Sequence, residues 1–231
     1  MKNIAVLFAA SLALATLIGC GSQRGTNGSA SPESASSDVD AQANGSGAPE
    51  SGGTIGAALV VYFSRTGEQY SVGKIDKGNT AIVAEIIAEK TGAALWEVVP
   101  ENDVYPKDDY DKLTDIAKQE LNKNVRPAYV GDPPDLSQYD VIFFGAPVWW
   151  GDWPTIMYTF FENNVDALAG KTLVPFATHE GSGLSGFDKK LAAAQPDANV
   201  AEGLAIKGTD AQKNQDKVAK SVADWLTKLG Y

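Results

Sequence analysis

Three short stretches of this chain combine residue types that can do chemistry. The first is Ser64-Arg65-Thr66-Gly67, followed after eleven residues (68–78) by Asn79-Thr80. Hydroxyls, a guanidinium, a glycine and an amide stand directly ahead of a helical pattern. Backbone N–H groups at a helix start point at an anion, and the helix dipole favours its charge, so this set suits a phosphate. Ser, Thr, Gly and Asn are also ordinary turn residues, and a plain strand-to-helix loop reads the same way. The second stretch is Pro147-Val148-Trp149-Trp150-Gly151-Asp152-Trp153, with three tryptophans in five positions. Large aromatics on a loop expose apolar area without return unless something flat covers them, which points to a stacking platform. Packing of Trp149 or Trp153 under the domain edge is the competing reading, and at least one of them is expected there. The third stretch is His179-Glu180-Gly181-Ser182-Gly183. Its glycines let backbone approach a ligand closely, with N–H groups to spare for a polar ring edge. A lone histidine is more often structural, yet the loop around His179 places it beside a ligand.

What the chain lacks narrows the chemistry further. Its one cysteine, Cys20, allows neither an intramolecular disulfide nor a cysteine metal site, and its one histidine excludes a histidine-rich one. No acid–base pair or nucleophile of the usual kind is evident, so no catalytic side chain is assigned and a bound cofactor must carry the reaction. The formal net charge of −10 argues against nucleic acid as a partner. Most of that charge serves solubility; it also suits steering of a basic redox partner.

The elements that must position these stretches alternate between strand and helix. Strands are predicted at 57–63, 94–99, 139–145, 171–177 and within 199–206. Helices are predicted at 80–91, 109–122, 154–163, 186–194 and 210–229, with residues 125–139 as loop. The strand 139–145 is almost wholly apolar, as a strand covered on both faces must be. Short buried strands alternating with helices imply an α/β fold, a parallel sheet joined by right-handed crossovers with helices on both faces. In such sheets ligands bind beyond the carboxyl ends of the strands, where all three stretches fall.

The first 54 residues read as an address and a tether. Residues 1–20 carry a positive Lys2, an apolar run from Ile4 to Leu17, and the ending Leu17-Ile18-Gly19-Cys20. That ending resembles a bacterial lipobox, which makes Cys20 the lipidation site of a lipoprotein signal peptide. A simple signal peptide with a coincidental cysteine is the alternative. Residues 21–54 hold Gly, Ser, Ala or Pro at 22 of 34 positions. Such a segment cannot bury enough surface to offset its ordering entropy, and as a flexible linker it would reach about 30 Å. The folded domain is then 55–231, held outside the cytoplasmic membrane at the cell membrane or envelope by the lipid.

A phosphate end, an aromatic slab and a polar-edge reader together match a flat, amphipathic nucleotide such as flavin mononucleotide (FMN). The domain resembles the flavodoxin family, in the branch whose phosphate loop is interrupted. The resemblance rests on Ser64-Arg65-Thr66-Gly67 with Asn79-Thr80, on Pro147 to Asp152, and on Pro175-Phe176-Ala177-Thr178-His179-Glu180-Gly181-Ser182-Gly183. It implies a flavodoxin-like doubly wound sandwich, its five-stranded parallel sheet ordered 2-1-3-4-5, with FMN as cofactor. Flavodoxin is the standard example of flavin placement at such a sheet's switch point. By resemblance, Ser64, Thr66, Asn79 and Thr80 hold the phosphate, Gly67 allows close approach, and Arg65 adds charge. Pro147 and Val148 lead into the slab, Trp149 or Trp150 stacks on the flavin ring, and Gly151 matches the position whose peptide reorients when the ring gains a proton. Residues His179 to Gly183 contact the pyrimidine edge. The insert 68–78 is the departure from the family pattern, folding over the cofactor or forming a partner surface. The implied function is electron transfer to a redox partner protein or a small-molecule acceptor. An NAD(P)H-dependent quinone or flavin reductase is the second reading, and a surface binding module without cofactor the third.

Overall fold

The structure, a computed structural model, describes residues 57–231. Cys20 and the linker 21–54 lie outside the described residues. A mostly parallel sheet forms the centre. β1 (Ala58–Tyr62) pairs on one side with β4 (Ala94–Glu97) and on the other with β5 (Val141–Pro147), which pairs with β6 (Thr172–His179). β6 then pairs with two segments, β7 (Asn199–Val200) and β8 (Leu204–Lys207). In terms of the predicted strands this is the expected 2-1-3-4-5 order, with the last strand broken in two. The break has a visible cause. β7 pairs with Thr172 and Leu173, β8 with Phe176 to His179, and the gap between them faces Pro175, which has no N–H to give a ladder.

Side chains alternate across the sheet and feed two cores. From β1 and β5, Leu59, Val61, Ile142 and Phe144 enter one core beside Leu113, Ile156, Phe160 and Leu191. Ala58, Val60, Val141 and Phe143 enter the other beside Ile82, Val83, Ile87, Val222 and Leu226. The first face is thus covered by α2 (Tyr110–Lys123), α3 (Thr155–Asn163) and α5 (Phe187–Ala194), the second by α1 (Asn79–Thr91) and α7 (Gln215–Lys228). One short helix went unpredicted, α4 (Val165–Leu168), which follows α3 after Asn164, and the predicted helix 210–229 is broken at Asn214 into α6 (Gly208–Lys213) and α7; both asparagines are in non-helical conformation. A single 3-10 turn at Leu136–Gln138 interrupts the predicted loop 125–139.

The insert is not a bare loop. β2 (Gly67–Gln69) and β3 (Gly73–Ile75) form a small antiparallel hairpin. Ser71 and Gly73 take positive φ around its turn, and Ile75 is its buried anchor. At three residues each, these strands are too short to show any period in sequence. Among the described residues no helix is long and apolar enough to cross a membrane.

Candidate functional site

The start of α1 lies at the carboxyl end of β1. Gly78 precedes the helix, and Ser64 Oγ accepts the N–H of Ala81 at 3.0 Å, closing one of the first-turn donors. The N–H groups of Asn79 and Thr80 have no partner among the described residues. Gly78 is required by space rather than by conformation. Its φ of −67° and ψ of 147° suit any residue, but a Cβ there would come within 2.1 Å of Ser64 Oγ and 2.7 Å of the Arg65 carbonyl. Gln69 Nε2 donates to the Thr66 carbonyl at 3.3 Å and to the Arg65 carbonyl at 3.4 Å. The loop's acceptors are thereby drawn toward the hairpin, and two donors are left at the helix start. Thr80 is buried, its hydroxyl 2.8 Å from that of Thr178 at the end of β6. Gln212 Nε2 donates to Asn79 Oδ1 at 2.8 Å, which leaves the Asn79 amide nitrogen as its donor end.

Arg65 has a different task from the one expected. It is buried, and its guanidinium donates to the carbonyls of Glu68 and Pro106, fastening the hairpin to the segment before α2. Burial holds it below the ordinary arginine range, with Tyr110, Glu68 and Asp108 opposing. Gly67 belongs to the same joint. The N–H of Glu68 bonds the Lys107 carbonyl at 2.6 Å, and a Cβ on Gly67 would lie 2.2 Å from that oxygen.

The three tryptophans divide their roles. Trp153 is core: it stacks on Phe187 at 3.7 Å and its Nε1–H donates to the Phe187 carbonyl at 3.2 Å. Trp149 is half-buried, meeting Phe63 and Tyr105 edge to face at 5.3 and 5.0 Å. Trp150 is 52% exposed, and its Nε1–H donates to the Thr114 carbonyl of α2 at 2.8 Å. Trp149 and Asp152 exchange both backbone hydrogen bonds at 3.0 Å around Trp150 and Gly151, whose φ values are 52° and 75°. Two successive positive φ values mark a tight turn of the type I′ class, which glycine accepts freely and tryptophan does not. Lys190 helps hold that turn: its ammonium donates to the carbonyls of Gly151 and Ser185 and lies 3.4 Å from Asp152. One side chain from α5 therefore ties together the loops after β5 and β6.

His179 builds its own loop. Its Nδ1 accepts the N–H groups of Gly181 at 2.9 Å and Gly183 at 3.1 Å, which fixes the neutral tautomer with the proton on Nε2. Burial and the Lys207 charge lower its pKa, against an opposing Glu180. Glu180 itself receives the N–H of Thr209 at 2.6 Å and its hydroxyl at 2.7 Å, so its carboxylate caps α6.

A cleft of about 310 Å³ opens between these loops. It collects Asn79 from the first stretch, Pro147, Val148 and Trp149 from the second, and His179, Glu180, Gly181 and Ser182 from the third. Ser64, Arg65 and Thr66 line a separate groove instead, Thr80 is enclosed, and Trp150 faces a neighbouring cavity. Gln69 and Tyr70 also line the cleft, from the insert expected to fold over the cofactor or form a partner surface, as does Thr178 from the third stretch, which was not named as a contact; Tyr110 was not anticipated at all. Tyr70 rides on the hairpin and stacks on Tyr110 with centroids 6.2 Å apart. An exposed tyrosine within a polar insert was the available signal. The arrangement can hold a flat ring between Trp149 and the His179 loop, with an anion toward the start of α1. Among the described residues no three His, Cys, Asp or Glu side chains are grouped to hold a metal.

Known proteins of this shape bear on the reading. A family model described as Flavodoxin matches residues 58–227. A protein assigned as a flavoprotein from Bacteroides eggerthii DSM 20697 is 32% identical, covering 71% of this chain and 98% of its own, with a TM-score of 0.54. A similarly assigned protein from Bacteroides uniformis ATCC 8492 is 27% identical over 73% of this chain and 99% of its own, TM-score 0.55. A flavoprotein from Lactobacillus acidophilus NCFM, solved in complex with FMN, shares the fold at 23% identity, covering 69% and 98%, TM-score 0.53. No curated protein sequence matches the chain.

Proposed function

The chain belongs to the flavodoxin family, and from that premise we propose that it binds FMN and works as an electron-transfer protein. The carrying observation is the cleft at the carboxyl ends of β5 and β6, walled by Trp149 and the His179 loop and open toward the start of α1. FMN, when bound, supplies one- and two-electron chemistry at a single ring system. The residues of the chain hold and tune it. The unpartnered N–H groups of Asn79 and Thr80 would hold the phosphate, with the dipole of α1 favouring its charge. The absence of a Cβ at Gly78 keeps Ser64 close against the helix start. Trp149, braced edge to face by Phe63 and Tyr105, offers its free surface to the ring. His179, locked with its proton on Nε2, takes up the N–H groups of Gly181 and Gly183, and the loop it shapes would present His179 to Ser182 to the ring edge.

The ending Leu17-Ile18-Gly19-Cys20 and the 34-residue linker support a lipid anchor at Cys20, which would hold the domain outside the cytoplasmic membrane, at the cell membrane or envelope. A second reading, an NAD(P)H-dependent quinone or flavin reductase, draws on a cavity of about 360 Å³ that shares Tyr70, Tyr110, Val148 and Trp149 with the cleft. The two readings separate on mixing the FMN-loaded protein with NADH or NADPH without oxygen. A carrier leaves the flavin absorbance unchanged until another protein reduces it. Rapid bleaching would replace the carrier with the reductase, and a protein that takes up no FMN would sink both.

A further inference from the structure

We propose that Gln212 is a positioning residue that makes the cleft select a phosphate-bearing flavin, by fixing which end of the Asn79 amide is offered to the anion, a role that rests on the FMN binding proposed above. Asn79 lines the cleft as the first residue of α1, where its backbone N–H and that of Thr80 have no partner among the described residues. An asparagine side chain has a donor at one end and an acceptor at the other, and only the donor end serves an anion. Turned the other way, the same side chain would set its carbonyl oxygen against the phosphate and repel it. Discrimination at this position therefore needs a neighbour that chooses the orientation.

Gln212 makes that choice from 133 residues further along the chain. Its Nε2 lies 2.8 Å from the Lys77 carbonyl oxygen and 2.8 Å from Asn79 Oδ1. A backbone carbonyl only accepts, so Gln212 must present its NH2 group there, and that group has two hydrogens to give. One goes to Lys77. The other finds an acceptor only if Asn79 turns Oδ1 toward Gln212, which leaves Asn79 Nδ2 as the free donor end. The reversed amide would bring two NH2 groups together. Gln212 is itself held in place, because α6 is tied at both its start and its middle. Glu180 receives the N–H of Thr209 at 2.6 Å and its hydroxyl at 2.7 Å, and Ala211 is buried in the second core. At Gly208 a Cβ has no room, since the Asn79 amide nitrogen and Glu180 Oε1 stand in its place. The short helix thus joins the loop at the ring edge to the start of α1, although Gly208, Thr209 and Gln212 do not line the cleft.

Wild type, Gln212→Met, Asn79→Ala and the double variant separate this role from plain support. Each whole protein is titrated with FMN and with riboflavin by quenching of flavin fluorescence. Methionine keeps the length of the side chain and removes the donor without a change of charge. Gln212→Met should weaken FMN about three- to tenfold, the worth of one hydrogen bond, and riboflavin by less than about twofold. Loss of mere packing would weaken both flavins alike. Asn79→Ala should lower the preference for FMN over riboflavin at least as far, and adding Gln212→Met should lower it no further, because Gln212 acts through Asn79. An unchanged preference in Gln212→Met, equal losses for both flavins, or additive losses in the double variant overturns the proposal. A second measurement needs no flavin: the Asn79 side-chain amide signal in nitrogen-15 spectra is followed as inorganic phosphate is added to the flavin-free protein. A shift in wild type that is lost in Gln212→Met upholds the role of Gln212 even where neither flavin binds, a result that would sink the FMN reading alone. A signal that stays put in wild type, or moves equally in Gln212→Met, overturns the proposal.

Discussion

Gly78→Ala puts the smallest possible change at the anion end of the site. The backbone at Gly78 has φ −67° and ψ 147°, so alanine introduces no conformational strain and the effect is steric alone. The new Cβ would lie 2.1 Å from Ser64 Oγ, 2.7 Å from the Arg65 carbonyl oxygen and 3.0 Å from its nitrogen. All three must retreat to ordinary contact distance, and the first casualty is the 3.0 Å bond from the Ala81 N–H to Ser64 Oγ. Loss of an N-cap bond costs about 0.5–2 kcal/mol, and forcing an extra methyl into a packed site about 1–3 kcal/mol. The variant should therefore be about 1–3 kcal/mol less stable in urea unfolding followed by circular dichroism. FMN binding, read by quenching of flavin fluorescence, should weaken at least tenfold, since about 1.4 kcal/mol corresponds to each factor of ten. Combining Gly78→Ala with Ser64→Ala removes the 2.1 Å contact but not the one to the carbonyl, so part of the stability should return. Wild-type unfolding and wild-type FMN affinity in Gly78→Ala would refute the reasoning about this loop.

Other perturbations test other parts of the account. Thr80→Val leaves the buried Thr178 hydroxyl without its partner at 2.8 Å and should cost about 1–3 kcal/mol in urea unfolding, while the double change with Thr178→Val should be much milder. His179 is held below its ordinary pKa by burial, so the unfolded chain takes up its proton first as pH falls. Its contribution to stability is complete above about pH 6.5 and drains as pH drops toward the folded value. Urea midpoints should thus fall from pH 7.5 to pH 5.5, with a smaller fall in His179→Ala, which lacks both bonds to Gly181 and Gly183. Cys20→Ser should move the protein from the membrane fraction to the soluble one; unchanged membrane association would remove the lipid anchor from the account.

The fold class was legible because apolar runs such as Val141 to Phe144 admit few other readings, and the strand order came with the resemblance to the flavodoxin family. The break in the last strand was legible in principle at Pro175, which sits in β6 opposite the gap between β7 and β8. The hairpin was not, because three-residue strands carry no period and are held by distant partners, Pro106 and Lys107. Within the site, residue types showed where polar donors gather but not which way each points. Arg65 reads as a phosphate ligand in sequence, yet its partners are carbonyls of Glu68 and Pro106. Glu180 lines the cleft, as an edge contact should, but its carboxylate is spent on Thr209 across 29 residues of chain. Tyr110 entered the cleft from the first turn of α2, an element no loop motif marks.

The central claim is that a flavin lies in the cleft with its phosphate at the start of α1. Parallel fluorescence titrations with FMN and with riboflavin, which differ only in the phosphate, test it most directly. Charge-assisted hydrogen bonds from backbone N–H groups are worth about 1.5–3 kcal/mol, so FMN should bind at least tenfold more tightly than riboflavin. Equal affinity for the two, or no quenching with either, would contradict the account.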